Sequence, residues 1–262
     1  MKKKIIGAVL LAVSVVAFGF VSRDDSKVSQ EGTLCSKTTE DHEALFKQVN
    51  SFNKDLVYNV SSRFNNTVTK QRVDKAKSII DMLPNSSTQI VKSYKNVIIS
   101  ILHDRDKATD VFGENEILNK SQITLLKSID YTSNIRIRAI GQRVQGDQIE
   151  DFIIDYHMTV VPEKAAEYKE GREAFIDHIK EKTKTQIKYI NQDELQPGRV
   201  SFVVTKKGKV TQVELDSTSG YTEIDMDLIQ LIERAGMWKP AKNAKGKNVD
   251  QKLVFFFGKQ GC

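Results

Sequence analysis

The chain has 262 residues, of which 39% are apolar and 28% charged, and its net charge is +6. This length and balance fit one large or two small globular domains and exclude a disordered or fibrous chain. Half of the net charge comes from Lys2, Lys3 and Lys4, and the other basic residues alternate with acidic ones without interleaved aromatics, which argues against a nucleic-acid partner.

The three lysines precede an apolar run from Ile5 to Val21. As a helix this run of about 17 residues reaches roughly 26 Å, just short of the ~30 Å hydrocarbon core. Two readings of residues 1–22 stand. Ala17-Phe18-Gly19 fits a small-x-small cleavage site, so a signal peptide removed after Gly19 is favoured; the alternative is a retained membrane anchor. Both place the rest of the chain outside the cytoplasm. In that setting the two cysteines, Cys35 and Cys262, are candidates for a disulfide, with two unpaired thiols an equal alternative. Residues 23–40 are polar and read as a linker.

Residues 41–161 read as an α+β module, mostly helical with one β-hairpin. Leu45, Val49, Phe52, Leu56, Val60 and Phe64 form one helical stripe. A second helix is predicted over Lys70 to Leu83, ending at Pro84. A third is predicted from a Ser86/Ser87 cap to His103 through Ile90, Tyr94, Val97 and Ile101. Residues 104–119 read as a loop and Ser121 to Ile129 as a short helix. The period then changes to two: Ile135, Ile137 and Ala139, then Phe152, Ile154, Tyr156, Met158 and Val160, with Gly146-Asp147 as the turn between two strands. Pro162 ends the hairpin, and residues 163–169 read as a connection.

Catalytic and metal-binding signatures are absent. His42, His103, His157 and His178 are far apart, and none has a second ligand at zinc spacing. Asp104, Asp106 and Asp110 lack the Gly and Glu offsets of a calcium loop. No phosphate-binding glycine loop or nucleophile motif occurs. We therefore expect a non-enzymatic protein with no cofactor and no metal. A ligand-binding module within residues 41–161, with Tyr94, Tyr131 and Tyr156 and the acidic loop as its candidate groups, is an alternative.

Gly171 to Lys184 reads as a helix. After it, Val200, Phe202 and Val204 alternate, a turn follows at Lys206 to Lys209, and Val213 and Leu215 repeat the spacing, giving an antiparallel hairpin. Ile224, Leu228, Leu231, Ile232 and Ala235 form a helical stripe with Thr222 as its expected N-cap, and Gly236 and Pro240 stop it. The closing strand puts Leu253, Phe255 and Phe257 on one face and Val254 and Phe256 on the other. The expected unit is ββαβ, a helix packed on a small antiparallel sheet. Five consecutive apolar residues on an edge strand would be an aggregation hazard, so this strand is either buried, between domains or in a homodimer, or is a docking edge for another backbone.

The order Gly198-x-Val, strand, Gly208-x-Val, strand, Ser217-x-Ser-Gly220, an Asp-containing helix, Trp238-x-Pro240, Gly246-Lys247 and a closing apolar strand resembles the TonB C-terminal domain family, over residues 168–258. Gly171-Arg172-Glu173-Ala174-Phe175 also resembles that family's lead-in. The resemblance implies a periplasmic protein, secreted or held in the inner membrane if the N-terminal segment is uncleaved. Such a protein would receive a segment of an outer-membrane receptor, or of another envelope protein, on its last strand in TonB-dependent transmembrane transport. The receiving strand would be Gln251, Lys252, Leu253, Val254, Phe255, Phe256 and Phe257. Gly198, Gly208 and Gly220 would be turn positions, and Trp238 and Pro240 would close the helix on the sheet. The chain departs from the family in three places. Tyr189 is followed by Ile190 instead of proline, the apolar segment has Ser14 but no histidine, and four isolated prolines replace the family's Pro-rich rod. A stand-alone periplasmic binding or scaffold protein without energy transduction is the corresponding alternative.

Overall fold

The computed structural model describes residues 56–84, 91–103, 107–191 and 193–259. The N-terminal segment 1–22, the linker 23–40, His42, the stripe Leu45-Val49-Phe52, the Ser86/Ser87 cap, Ile90, Asp104, Asp106 and both cysteines lie outside these residues.

The described residues open with strand β1 (Leu56–Ser61) and strand β2 (Asn66–Thr69), then helix α1 (Lys70–Lys75) and a 3-10 turn (Ile79–Asp81). Strands β3 (Ser93–Leu102) and β4 (Ala108–Gly113) follow, then helix α2 (Lys120–Ser128) and the long strands β5 (Asn134–Gln145) and β6 (Gln148–Val161). The short strand β7 (Glu167–Tyr168) leads to helix α3 (Arg172–Ile187), strands β8 (Gly198–Val204) and β9 (Val210–Ser217), and helix α4 (Thr222–Glu233). Three short strands, β10 (Trp238–Lys239), β11 (Ala241–Lys242) and β12 (Asn248–Val249), precede β13 (Gln251–Lys259).

These elements build two main sheets, each with its own core. One has the order β2-β6-β5-β3-β4 and buries Val97, Ile99, Ile135, Ile137, Met158 and Val160 with Val73 and Leu126 of its helices. The other has the order β1-β13-β8-β9 and buries Val200, Phe202, Phe255 and Phe257 with Phe175, Ile179, Ile224 and Leu228 of α3 and α4. The fold is thus α+β, as expected, but the part before residue 161 is dominated by strands among the described residues.

Where they are described, two expected helices are strands, because the spacing of their apolar residues imitates a helix. Leu56 and Val60 lie four apart, and a spacing of four keeps one face in a strand as well as in a helix, since two divides four. In β3 the register slips between Lys95 and Ile98, with Asn96 at φ 49°. This bulge puts Tyr94 and Val97, three apart, on the same buried side, which imitates helical i, i+3 spacing. The helix over 70–83 is also shorter than expected. It stops at Lys75, and Ser78 caps a separate 3-10 turn through a reciprocal box with Asp81, which leaves Ile80 at the surface. Residues 108–113, expected as loop, pair with β3 as its edge strand.

The β5–β6 hairpin forms as expected around Gly146-Asp147, with Gly146 at φ 62° and Gln145 opposite Gln148. On its outer face Arg136 donates to both carboxylate oxygens of Asp155. That pairing holds the Asp155 carboxyl below its ordinary range, and the backbone N–H groups of Lys77 and Ser78 do the same for Asp81. Both groups therefore bind protons less well in the folded chain. Their stabilisation is present above about pH 4 and is lost as pH falls through the lower folded values. The urea midpoint should drop as pH falls below about 4, and Asp155→Asn should flatten part of that drop. Core and surface aromatics should separate cleanly in the same assay. Phe255→Ala should cost about 3–5 kcal/mol, whereas Phe112→Ala, at a side chain 65% exposed, should stay within about 0.5 kcal/mol.

Candidate functional site

Alternation along β13 sends Leu253, Phe255 and Phe257 into the core beneath α3 and α4, where Phe255 meets Phe175 edge-on at 5.9 Å. Val254 and Phe256 point to the opposite face. The neighbours of this strand decide what its backbone can do. Val254 lies between Ser61 of β1 and Ser201 of β8, and Phe256 between Asn59 and Arg199. From Val254 to Phe257 the receiving strand is therefore paired on both sides within the chain. The expected open edge is corrected over these four residues, because a bare apolar edge is hazardous and the chain covers it with its own β1. Gln251, Lys252 and Leu253 lie beyond the end of β1 and pair with β8 alone. Gln251 and Leu253 border a groove of about 690 Å³, lined also by Ser62, Phe64, Ala166 and Trp238. There the Gln251 side-chain oxygen accepts the Ala166 N–H at 2.7 Å.

The seat of β1 is built from side chains as well as backbone. Leu56 and Val60 are buried in the core of the four-stranded sheet. Between them the Tyr58 ring packs edge-on against Phe257 at 5.2 Å and Phe255 at 6.3 Å, and Lys180 Nζ sits 5.5 Å from its centroid. The Tyr58 hydroxyl lies 3.5 Å from Thr183 Oγ1. Burial raises the pKa of this phenol, and the Thr183 contact opposes the shift. On the outward side Arg172 of α3 donates to the Asn59 side-chain oxygen. None of these β1 residues was singled out from sequence as binding. The signal was present in the alternation of Leu56, Tyr58 and Val60, but it coincided with the helical stripe.

The expected motif positions cluster around the same sheet. Gly208 has φ 75°, and a Cβ there would overlap the Trp238 carbonyl oxygen. Its own carbonyl accepts the Trp238 N–H at 2.9 Å. Gly220 has φ 88°, and Gly198 packs against Ser219. Trp238 is buried against Tyr168, Phe175 and Phe202, with centroids 5.1–5.5 Å away, and β10 pairs it with β7 rather than with the helix. Half-buried Pro240 follows β10 directly. The expected cap Thr222 is corrected. Helix α4 starts from Tyr221 without a side-chain cap, and buried Asp225 instead accepts the Ser219 N–H at 2.9 Å and the Thr218 hydroxyl.

The opposite face of this sheet borders a cleft of about 870 Å³ shared with the ends of β3, β5 and β6. Arg199, Lys252, Glu214 and Asp216 line it from the same sheet, and Ser201 donates to Asp216 at 2.9 Å, so its charges are mixed and partly engaged. The histidines are not brought together. His103 pairs with Thr109 at 3.0 Å, His157 Nδ1 is 3.9 Å from Asp155, and His178 is exposed on α3. Asp110 lies in β4, not in a loop. Tyr94 and Tyr156 belong to the core of the five-stranded sheet, and Tyr131 precedes β5. Among the described residues no three His, Cys, Asp or Glu side chains are grouped to hold a metal ion, and no helix is long and apolar enough to cross a membrane.

If the β1 seat is built as described, Tyr58→Phe should change stability by less than about 0.5 kcal/mol. Tyr58→Ala should cost roughly 1–2 kcal/mol and speed hydrogen exchange at Val254 to Phe257 in mass spectrometry. No protein-family model matches the chain, no curated protein matches it, and no solved structure matches it.

Proposed function

We propose that this chain is a non-enzymatic cell-envelope protein that docks a partner by β-strand addition at its C-terminal sheet, in the manner of the TonB C-terminal domains it resembles. The partner is an outer-membrane receptor of TonB-dependent transport or another periplasmic protein. The observation that carries this reading is the way β13 acquires its outer neighbour. Leu56–Ser61 precedes the whole five-stranded sheet in the sequence and adds antiparallel to β13 over six residue pairs. The last strand thus accepts an extended segment that is not part of its own ββαβ unit, which is strand addition carried out within one chain.

A folded five-stranded sheet occupies residues 66–161, where the family has an extended rod. This observation favours the related reading of a stand-alone envelope scaffold over that of an energy transducer. The two differ in what lies upstream, not in the docking surface.

Synthetic N-terminal peptides of TonB-dependent receptors, titrated into the ¹⁵N-labelled chain, test the reading. Amides of Gln251 to Phe257 or of β1 should shift with at least one peptide, and those of Gln251 to Leu253 should gain exchange protection. Unchanged spectra across the panel, in the native chain and in variants with a weakened β1, would remove receptors as the partner.

A further inference from the structure

We propose that β1 is a built-in gate. It occupies the acceptor edge of β13 in cis, it must be displaced before a partner strand can add, and its side chains define the pattern that the partner must carry. This inference rests on the strand-addition reading above and concerns the regulation and specificity of the same edge.

Three observations carry it. The pairing is unbroken from Ser61 opposite Val254 to Leu56 opposite Lys259, so no second strand can add to that stretch of the edge while β1 is seated. Among the described residues β1 is the outermost strand of its sheet, with one strand neighbour, and edge strands open more readily than inner ones. Its seat is a set of specific sites rather than a featureless edge. The core receives Leu56 and Val60, and Phe255, Phe257, Thr183 and Lys180 surround Tyr58. The guanidinium of Arg172 takes the oxygen of the Asn59 side chain. A competing segment must therefore run antiparallel to β13 with an aliphatic residue, an aromatic two positions later and a branched aliphatic two positions after that. Asn or Asp should stand between the last two, since a carboxylate would meet Arg172 with a stronger, charge-assisted bond. The cis strand competes through its tether: a short linker gives it a millimolar-range effective concentration, which a free segment must overcome.

The probe is a synthetic peptide with the sequence of residues 54–63 of this chain, added to the full-length protein. Cys35→Ser and Cys262→Ser are introduced throughout to remove the native thiols. Tyr58→Thr loosens the gate. Asn59→Cys with Phe256→Cys locks it on oxidation, because directly opposed antiparallel residues lie within disulfide reach. Tyr58→Thr should bind the peptide at least about tenfold more tightly than the parent, with recovered exchange protection at Val254 to Phe257. The oxidised lock should bind none, and reduction should restore binding. A peptide with alanine at the Tyr58 position should bind at least about tenfold more weakly.

Near-UV circular dichroism and amide protection of the β5–β6 hairpin report whether each variant is folded, and Val60→Thr replaces Tyr58→Thr if that variant is not. The gate is overturned if the loosened chain binds no better than the parent, if the oxidised lock binds equally well, or if the alanine peptide binds undiminished. Dimerisation of the loosened chain without peptide, with Val254 to Phe257 still protected, would assign the edge to a second copy and also overturn it. The two readings fail separately. Receptor peptides that bind the oxidised lock as tightly as the parent sink the gate and leave docking intact. A loosened chain that takes up the 54–63 peptide but no receptor peptide keeps the gate and removes the receptor.

Discussion

Six residues of β1 pair antiparallel with the outer side of β13, and the arrangement of the described chain follows from that contact. Without it, β13 would be an edge strand whose apolar run presents unpaired N–H and C=O groups. With it, β13 becomes an inner strand, and Leu56 and Val60 close the core against α3. Each backbone bond contributes only about 0.5–1.5 kcal/mol net, so the buried side chains matter as much as the ladder. The contact also threads the chain. It leaves the four-stranded sheet at Ser61, builds the five-stranded sheet up to Val161, and then returns to finish the first sheet with its last strand. The first described strand and the last one must meet before that core is complete, a non-local pairing of the kind that slows folding.

Around this contact the C-terminal core is organised by aromatic rings. Phe175, Phe202, Trp238 and Tyr168 meet one another at angles away from parallel stacking, with Phe255 adjoining through Phe175, as the ring quadrupoles favour. Trp238 can enter because its backbone runs against Gly208, where no side chain fits. The turn after β8 and the segment after α4 are therefore set by one another. Helix α3 has a second role. Phe175 and Ile179 serve the core, while Arg172, Lys180 and Thr183 contact β1 directly. A partner that exchanges with β1 would be read by the same helix.

The proposed docking function and the covered edge are compatible because the cover is a single edge strand. A sheet that folds against its own segment is protected from unwanted pairing until a better-matched strand arrives. Beside Gln251 and Leu253, where β1 has already ended, the groove borders the part of β13 that β1 leaves unpaired. An incoming strand that began pairing there could advance along β13 as β1 retreats.

The C-terminal unit was legible in the sequence because its signals are local. Val200, Phe202 and Val204 alternate in β8, Ile224, Leu228 and Ile232 repeat at helical spacing in α4, and the glycine at 208 stands where the turn requires it. The β5–β6 hairpin was legible for the same reason. The strands β1 and β3 were not, since a four-residue spacing suits both periods and a bulge converts a strand's alternation into a step of three. The sequence by itself determined which residues form the last strand and which way each side chain along it alternates. Which strand lies beside it was decided by tertiary structure alone, because pairing joins backbones, which are alike at every position, and the choice of neighbour depends on side chains about 200 positions away closing a common core.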